Sequence, residues 1–412
     1  MKVGSKMEIV LFIETTKSGS SREALKAASQ LGYFTILITE RKSFIENTER
    51  FDDVYRMIYL EKITEELIRI EFQELQQRGG IIKLIVSFID PYVSIAAHLS
   101  NELCGSDISV SALKKMEDKT ETRNALKDNT TTPEYMVYKP TENLQLTLDK
   151  TFLFPRVIKS AVSKASKDVY LVDSKYEMER AIKRILKLYP NESIVLEEYL
   201  DGPQYLVEVL VYKGEITIVA IFKQEITKKL KFIVTGYEIQ IDLDEQLYGK
   251  LLNAVVSIVK DLEIENAAFH IEIRYIKEAW KLVEMNPRIS GGAMNRMIEE
   301  AFGINLMKET ISLYLGNRPA LVKRFERYIY THYITIESYG YLLKVTGASI
   351  AMNKPEVREV YLKTRIGVLM RPPLSMGHRY GYIIATGINA MDAKANAVDA
   401  AKVIKFYLEP MN

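Results

Sequence analysis

Two glutamates twelve positions apart, Glu272 and Glu284, followed by Asn286 and Arg288, are the side chains of this sequence best suited to chemistry. Glu272 stands in the alternating run Phe269-His270-Ile271-Glu272-Ile273-Arg274, and Glu284 closes a second run, Trp280-Lys281-Leu282-Val283-Glu284. Both runs predict strands, and the link Ile276-Lys277-Glu278-Ala279 predicts a hairpin that brings the two carboxylates onto one face. Carboxylates that close repel, and one takes up a proton unless a cation stands between them. Magnesium suits the pair because it binds a few carboxylate oxygens together with substrate phosphates, and manganese would be held in the same way. Asn286 adds a neutral oxygen on the same face, and Arg288 a planar, permanently charged fork for phosphate or carboxylate. Together these groups can grip a metal-bound triphosphate. Either glutamate alone would read as an exposed strand residue with a salt-bridge partner; the combination argues against that. Pro287 stops the strand, Gly291-Gly292 opens a turn, and Ala293–Ala301 predicts a helix whose N-terminal amides, with Ser290, can hold an anion. His270 shares the strand face of Glu272, which favours a substrate contact over a merely half-buried histidine.

These groups must be positioned by the rest of the chain. Up to residue 108, strands (Glu8–Ile13, Phe34–Thr39, Arg56–Leu60, Ile81–Ile89) alternate with helices (Ser21–Gln30, Thr64–Gln77, Tyr92–Cys104). That order predicts an α/β unit with an open parallel sheet, ligands lying beyond its C-terminal strand ends. The loop Glu14–Ser21 and the turn Ser87–Pro91 are therefore candidate binding edges. From Ser109 the character changes to a charged helix, Lys114–Lys127, and strands Pro155–Lys159, Val169–Val172, Ile194–Glu198, Tyr205–Tyr212 and Ile216–Phe222, with a helix Tyr176–Leu188. The remainder mixes strands Tyr328–Ile336, Arg365–Leu369 and Gly381–Gly387 with helices Leu306–Leu315 and Met391–Leu408. Three units are expected, 1–108, 109–315 and 316–412, the last two α+β.

With 412 residues, 47% of them hydrophobic and 27% charged, the chain can bury sizeable cores. Its 56 basic and 54 acidic residues nearly cancel, which favours neither a nucleic-acid nor a membrane surface. Cys104 is the single cysteine, so no intrachain disulfide forms. His98, His332 and His378 show no metal-ligand spacing, and zinc is not expected. No apolar run is long enough to span a bilayer and no signal peptide is evident, so a cytoplasmic location is expected.

The Glu272–Arg288 region resembles the metal-binding core of the ATP-grasp carboxylate–amine ligases, and among them the L-amino acid ligases that form dipeptides. The resemblance implies a pre-ATP-grasp sheet, a central ATP-grasp fold of two α+β subdomains, and ATP with magnesium as cofactors. In its terms Lys119, beside Asp118 and four residues before Arg123, and Lys159 reach the nucleotide phosphates. Glu197-Glu198-Tyr199-Leu200 is similar to the adenine hinge, with Gln204 at the ribose. Glu272, Glu284 and Asn286 hold metal, Arg288 is catalytic, and His270, Ser290, Gly291 and Gly292 meet the substrates. The sequence departs from the family at Ser160–Lys167, which has no glycine where a glycine-rich loop closes over phosphate, and at Tyr237, where a histidine is usual. The resemblance further implies an acylphosphate intermediate, amino acids as small-molecule partners, a homodimer, and a place in antibiotic biosynthesis. It extends to arginine-selective members, implying arginine as the N-terminal substrate. Two rival readings keep the fold: a ligase acting on bicarbonate or a purine-pathway carboxylate, and a nucleotide-binding regulator without catalysis.

Overall fold

A computed structural model describes residues 7–150, 153–162, 168–228, 232–363 and 365–410. The first strands, Met7–Ile13, Phe34–Thr39, Arg56–Tyr59 and Gly80–Val86, form a parallel sheet in the order third, second, first, fourth. Its central strand explains why the sequence reads as one apolar run. Ile9, Leu11 and Ile13 enter one core while Val10 and Phe12 enter another. A parallel sheet covered on both faces needs apolar side chains in both directions. Each such side chain contributes about 1.5–3 kcal/mol by its burial.

A second small sheet has the order Tyr135–Tyr138, Ile194–Glu198, Arg156–Ser160, Val169–Val172, with the helix Lys175–Leu188 packed on it through Met178, Ile182 and Ile185. The largest sheet is antiparallel and eight-stranded. In spatial order it runs Ala279–Asn286, Asn266–Ile276, Gln204–Tyr212, Glu215–Lys228, Phe232–Ile239, Tyr328–Ile334, Gly381–Gly387 and Val357–Leu362. It passes without a break across residue 316, so the C-terminal strands extend the sheet that carries the two glutamates. This is the ATP-grasp fold, with its N-terminal parallel sheet and large antiparallel sheet.

Three expected elements are corrected. The charged helix Lys114–Lys127 is two helices, Val110–Glu117 and Lys119–Ala125. Asp118 breaks it by turning extended and accepting the N–H groups of Thr120 at 2.7 Å and Glu121 at 3.2 Å, an N-cap that the charge pattern concealed. The helix expected over Met391–Leu408 ends at Lys402, and Lys405–Glu409 pairs as a strand with Gly340–Thr346. Arg365–Leu369 is not a strand: Val368 N–H bonds the Arg365 carbonyl at 3.2 Å in a turn, with Gly367 at φ +81°, and only Leu369–Met370 pairs. The long helix Glu245–Asp261 and the strand Phe232–Ile239 were not anticipated.

Candidate active site

The hairpin forms as its sequence suggests. Lys277 and Glu278 take positive φ, 47° and 66°, the geometry a tight two-residue turn requires. Across it Glu272 stands opposite Glu284 and His270 opposite Asn286, so all four groups share one face. They line a cavity of about 420 Å³ with Lys159, Arg288, Gly291 and the segment Glu197–Leu200. That volume is within the range of small-molecule sites.

Burial, and then the negative charge of Glu284, raise the Glu272 carboxyl to about 7. The pair has limited compensation. Lys119 Nζ lies 3.5 Å from Glu284 Oε1, and the Gln204 amide donates to Glu272 Oε2 at 2.7 Å. The other end of Gln204 accepts from Arg274 Nε at 2.9 Å. Gln204, expected at a ribose, thus has both ends of its amide occupied and holds Glu272 in place.

A second charged group has the opposite character. Glu197 is buried between Arg123 and Lys159, at 2.6 Å from each. Burial alone would raise its carboxyl; the two cations outweigh burial and hold it below the ordinary carboxylate range. Burial lowers the Lys159 ammonium, against the opposing pull of Glu197. Arg123 also donates to the carbonyls of Leu282 and Val283, both at 2.9 Å, and Lys159 donates to that of Val283 at 3.2 Å. The cluster therefore clamps the strand that carries Glu284. In the hinge segment, the N–H groups of Glu198 and Tyr199 bond the carbonyls of Glu134 and Pro155, and the Leu200 carbonyl accepts from Arg274. The Arg274 guanidinium sits 5.5 Å over the Tyr199 ring.

His270 is buried, and its Nδ1 lies 2.7 Å from the Arg288 carbonyl. A carbonyl only accepts, so Nδ1 carries the proton and Nε2 keeps its lone pair. Burial, and then the Arg288 charge, lower this imidazole to about 4, so it is neutral at physiological pH. Arg288 itself pairs with Asp90 at 2.9 Å, while Arg288 Nε and Asp90 Oδ1 are buried without partners among the described residues. Ser290, expected to meet substrate, gives both its N–H, at 3.0 Å, and its hydroxyl to Glu208. Its carbonyl accepts the Ser20 hydroxyl at 2.6 Å. Burial raises the Glu208 carboxyl to about 7. Gly291 and Gly292 remain on the cavity wall, Gly292 at φ +72°.

Two further residues belong to this wall. Arg274 continues the alternation of His270 and Glu272, a signal that was available in the sequence. Asp90 lies in the Ser87–Pro91 turn marked as a binding edge; its pairing with Arg288, 198 positions away, carried no local signal. Residues 163–167 of the serine-rich segment, and Lys229 and Lys231 of a basic run, lie outside the described residues.

Comparison with known proteins agrees with this geometry. Residues 152–296 match the model of the ATP-grasp domain, and residues 332–409 match L-amino acid ligase C-terminal domain 2. The crystal structure of an L-amino acid ligase from Bacillus licheniformis superposes with a TM-score of 0.82 at 20% identity, over 98% of this chain and 100% of that one. Dapdiamide A synthase of Enterobacter agglomerans is 21% identical over 311 residues, 74% of this chain and 72% of that protein. The uncharacterized protein y4rH of Sinorhizobium fredii is 23% identical over 262 residues, 63% of this chain and 54% of that protein. The match thus spans about half the length of y4rH. The fold is the ATP-grasp fold, and the two matched segments are an ATP-grasp domain and an L-amino acid ligase C-terminal domain. Within that class the chain is L-amino acid ligase-like. Among the described residues no helix is long and apolar enough to cross a membrane.

Proposed function

We propose that this enzyme joins two L-amino acids into a dipeptide, with release of ADP and phosphate. The observation that carries the reading is the Glu272–Glu284 pair facing one cavity with Lys119, Lys159 and Arg288 around it. Two carboxylates with an amide oxygen from Asn286 are hard oxygen donors with spare negative charge, a set that fits Mg2+. When bound there, magnesium neutralises and orients the phosphates of ATP. Lys119 and Lys159 add positive charge beside those phosphates, and the Glu197–Leu200 segment receives the base. A carboxylate oxygen of the first amino acid attacks the γ-phosphorus, the bond to the ADP oxygen breaks, and an acylphosphate forms. The amine of the second amino acid then attacks the acyl carbon and phosphate leaves. Arg288 faces the charge that develops in both steps, and the neutral His270 presents its Nε2 lone pair as an acceptor for a substrate N–H. Gly291 and Gly292 let substrate approach the backbone closely.

The finer reading takes arginine as the N-terminal substrate. Asp90 Oδ1, buried and without a partner among the described residues at the cavity wall, is the acid available to a cationic substrate. The test is phosphate release from ATP and Mg2+ across all pairs of the twenty amino acids, with the products weighed by mass spectrometry. Phosphate accompanied by a dipeptide mass, strongest with arginine at the N-terminus, is expected. Silence with every pair, alongside turnover on bicarbonate or another carboxylate, would overturn the reading.

A further inference from the structure

A second cavity, of about 150 Å³, adjoins the first and shares Gly292, Met376 and Arg379 with it. Its wall is built by strand register. Tyr361 stands opposite Tyr382, and Tyr382 opposite Tyr333, so three neighbouring strands place a tyrosine on one rung. Tyr361 and Tyr382 stack at 5.1 Å between ring centres, and Tyr382 meets Tyr333 edge-on at 5.8 Å. The Arg379 guanidinium lies 3.8 Å over the Tyr333 ring, a cation–π contact that fixes it at the junction of the two cavities. Its other contacts are uncharged: the Val234 carbonyl at 3.5 Å and the Tyr237 hydroxyl. Lys363 is the second cation of this cavity, and no acid is among its described lining residues. Glu359, which accepts the Tyr382 hydroxyl at 2.7 Å, is paired with Arg296 at 3.1 Å and does not line the space.

We propose that this second cavity is the acceptor subsite. It receives the amino acid whose amine attacks, holds that substrate's free carboxylate on Arg379 with Lys363, and lays its side chain against the tyrosine rung. The chemistry and the geometry agree. Amine and carboxylate sit on one carbon, so a carboxylate held at the junction sends the amine into the first cavity, where the acyl group is activated. Two cations with no facing acid favour a carboxylate-bearing acceptor over an amide, and a neutral side chain over a positive one. The assignment rests on the dipeptide-forming reading above.

The test compares L-alanine with L-alaninamide as acceptors, at saturating ATP, Mg2+ and donor, for the wild type, Arg379→Met and Arg379→Lys. The wild type should show an acceptor KM at least tenfold lower for alanine than for alaninamide. Arg379→Met should raise the alanine KM at least tenfold while leaving the KM values for alaninamide and ATP in place; Arg379→Lys should recover part of the difference. A merely structural role would raise all of these together, and that outcome, or alanine and alaninamide treated alike by the wild type, overturns the subsite. Absence of product from any amino acid pair overturns instead the reading on which it rests.

Discussion

Two acidic centres share the walls of one cavity and differ in how their charge is met. Glu197 is enclosed by Arg123 and Lys159 and held below its ordinary range, whereas Glu272 faces a second carboxylate and is raised to about 7. The first has its counter-charges built into the protein; the second has a surplus of negative charge that calls for a cation from outside. A buried ion cluster with every member paired is architecture, and a repelling pair kept at a cavity wall is a site. The contrast separates Arg123 and Glu197, which hold the site together, from the Glu272–Glu284 pair proposed to act in it, with Lys159 belonging to both because it closes the cluster and also lines the cavity.

The contrast is broken most sharply by removing charge from each centre in turn. Glu284→Gln keeps the shape and removes one of the repelling charges, so turnover should fall about a thousandfold, on the order of 4 kcal/mol, with the thermal midpoint unchanged or higher. Wild-type rates in a phosphate-release assay of that variant would remove the metal assignment. Arg123→Ala should do the reverse. It leaves the buried Glu197 with Lys159 as its remaining cation and removes two bonds to the Leu282 and Val283 carbonyls, and unfolding free energy measured in urea should drop by about 2–3 kcal/mol. A drop within experimental error would mean that Glu197 finds water or another partner. Arg288→Ala lies between the two, because Arg288 both lines the cavity and ties down Asp90. A loss in kcat/KM of about 2–4 kcal/mol is expected if it meets developing charge. A change confined to the KM for ATP would reassign it to nucleotide binding.

The smallest effect sharpens the comparison through pH. Glu208 goes from about 4.5 in the unfolded chain to about 7 in the folded one, so the folded state binds more protons between those values. Stability should therefore fall as pH rises from 4.5 to 7, by on the order of 3 kcal/mol. Glu208→Gln keeps a partner for Ser290 without the charge and should reduce that slope in the pH dependence of the unfolding midpoint, leaving the part that comes from Glu272, raised over the same window. An unchanged slope would place the titration elsewhere.

The hairpin was legible in the sequence because its information is local. Alternation fixes the face of His270 and Glu272, and the two-residue link sets the register as far as Ile273 opposite Leu282; a one-residue bulge then brings Glu284 opposite Glu272. The parallel sheet was legible for the same reason, its strands being short, largely apolar runs alternating with helical segments. What escaped depends on partners far along the chain. Nothing near Ser290 says that Glu208 will take both its donors, and nothing near Gln204 says that Arg274 and Glu272 will occupy both ends of its amide. Asp118 had a local signal, as a capping residue, but the surrounding charges suggested one uninterrupted helix. The strand Lys405–Glu409 was missed because helical spacing of apolar residues near the C-terminus overlaps the alternation of a short strand.

Loop and helix residues of the N-terminal unit touch the segment 288–290, Asp90 on Arg288 and the Ser20 hydroxyl on the Ser290 carbonyl. Those contacts join positions 198 and 270 residues apart, through groups that no neighbouring residue specifies. The first unit is therefore not an exchangeable cassette. A chimera that takes this unit from a relative must carry over the matching residues at 288–290, or the graft will leave Arg288 without its anchor while every individual domain still folds.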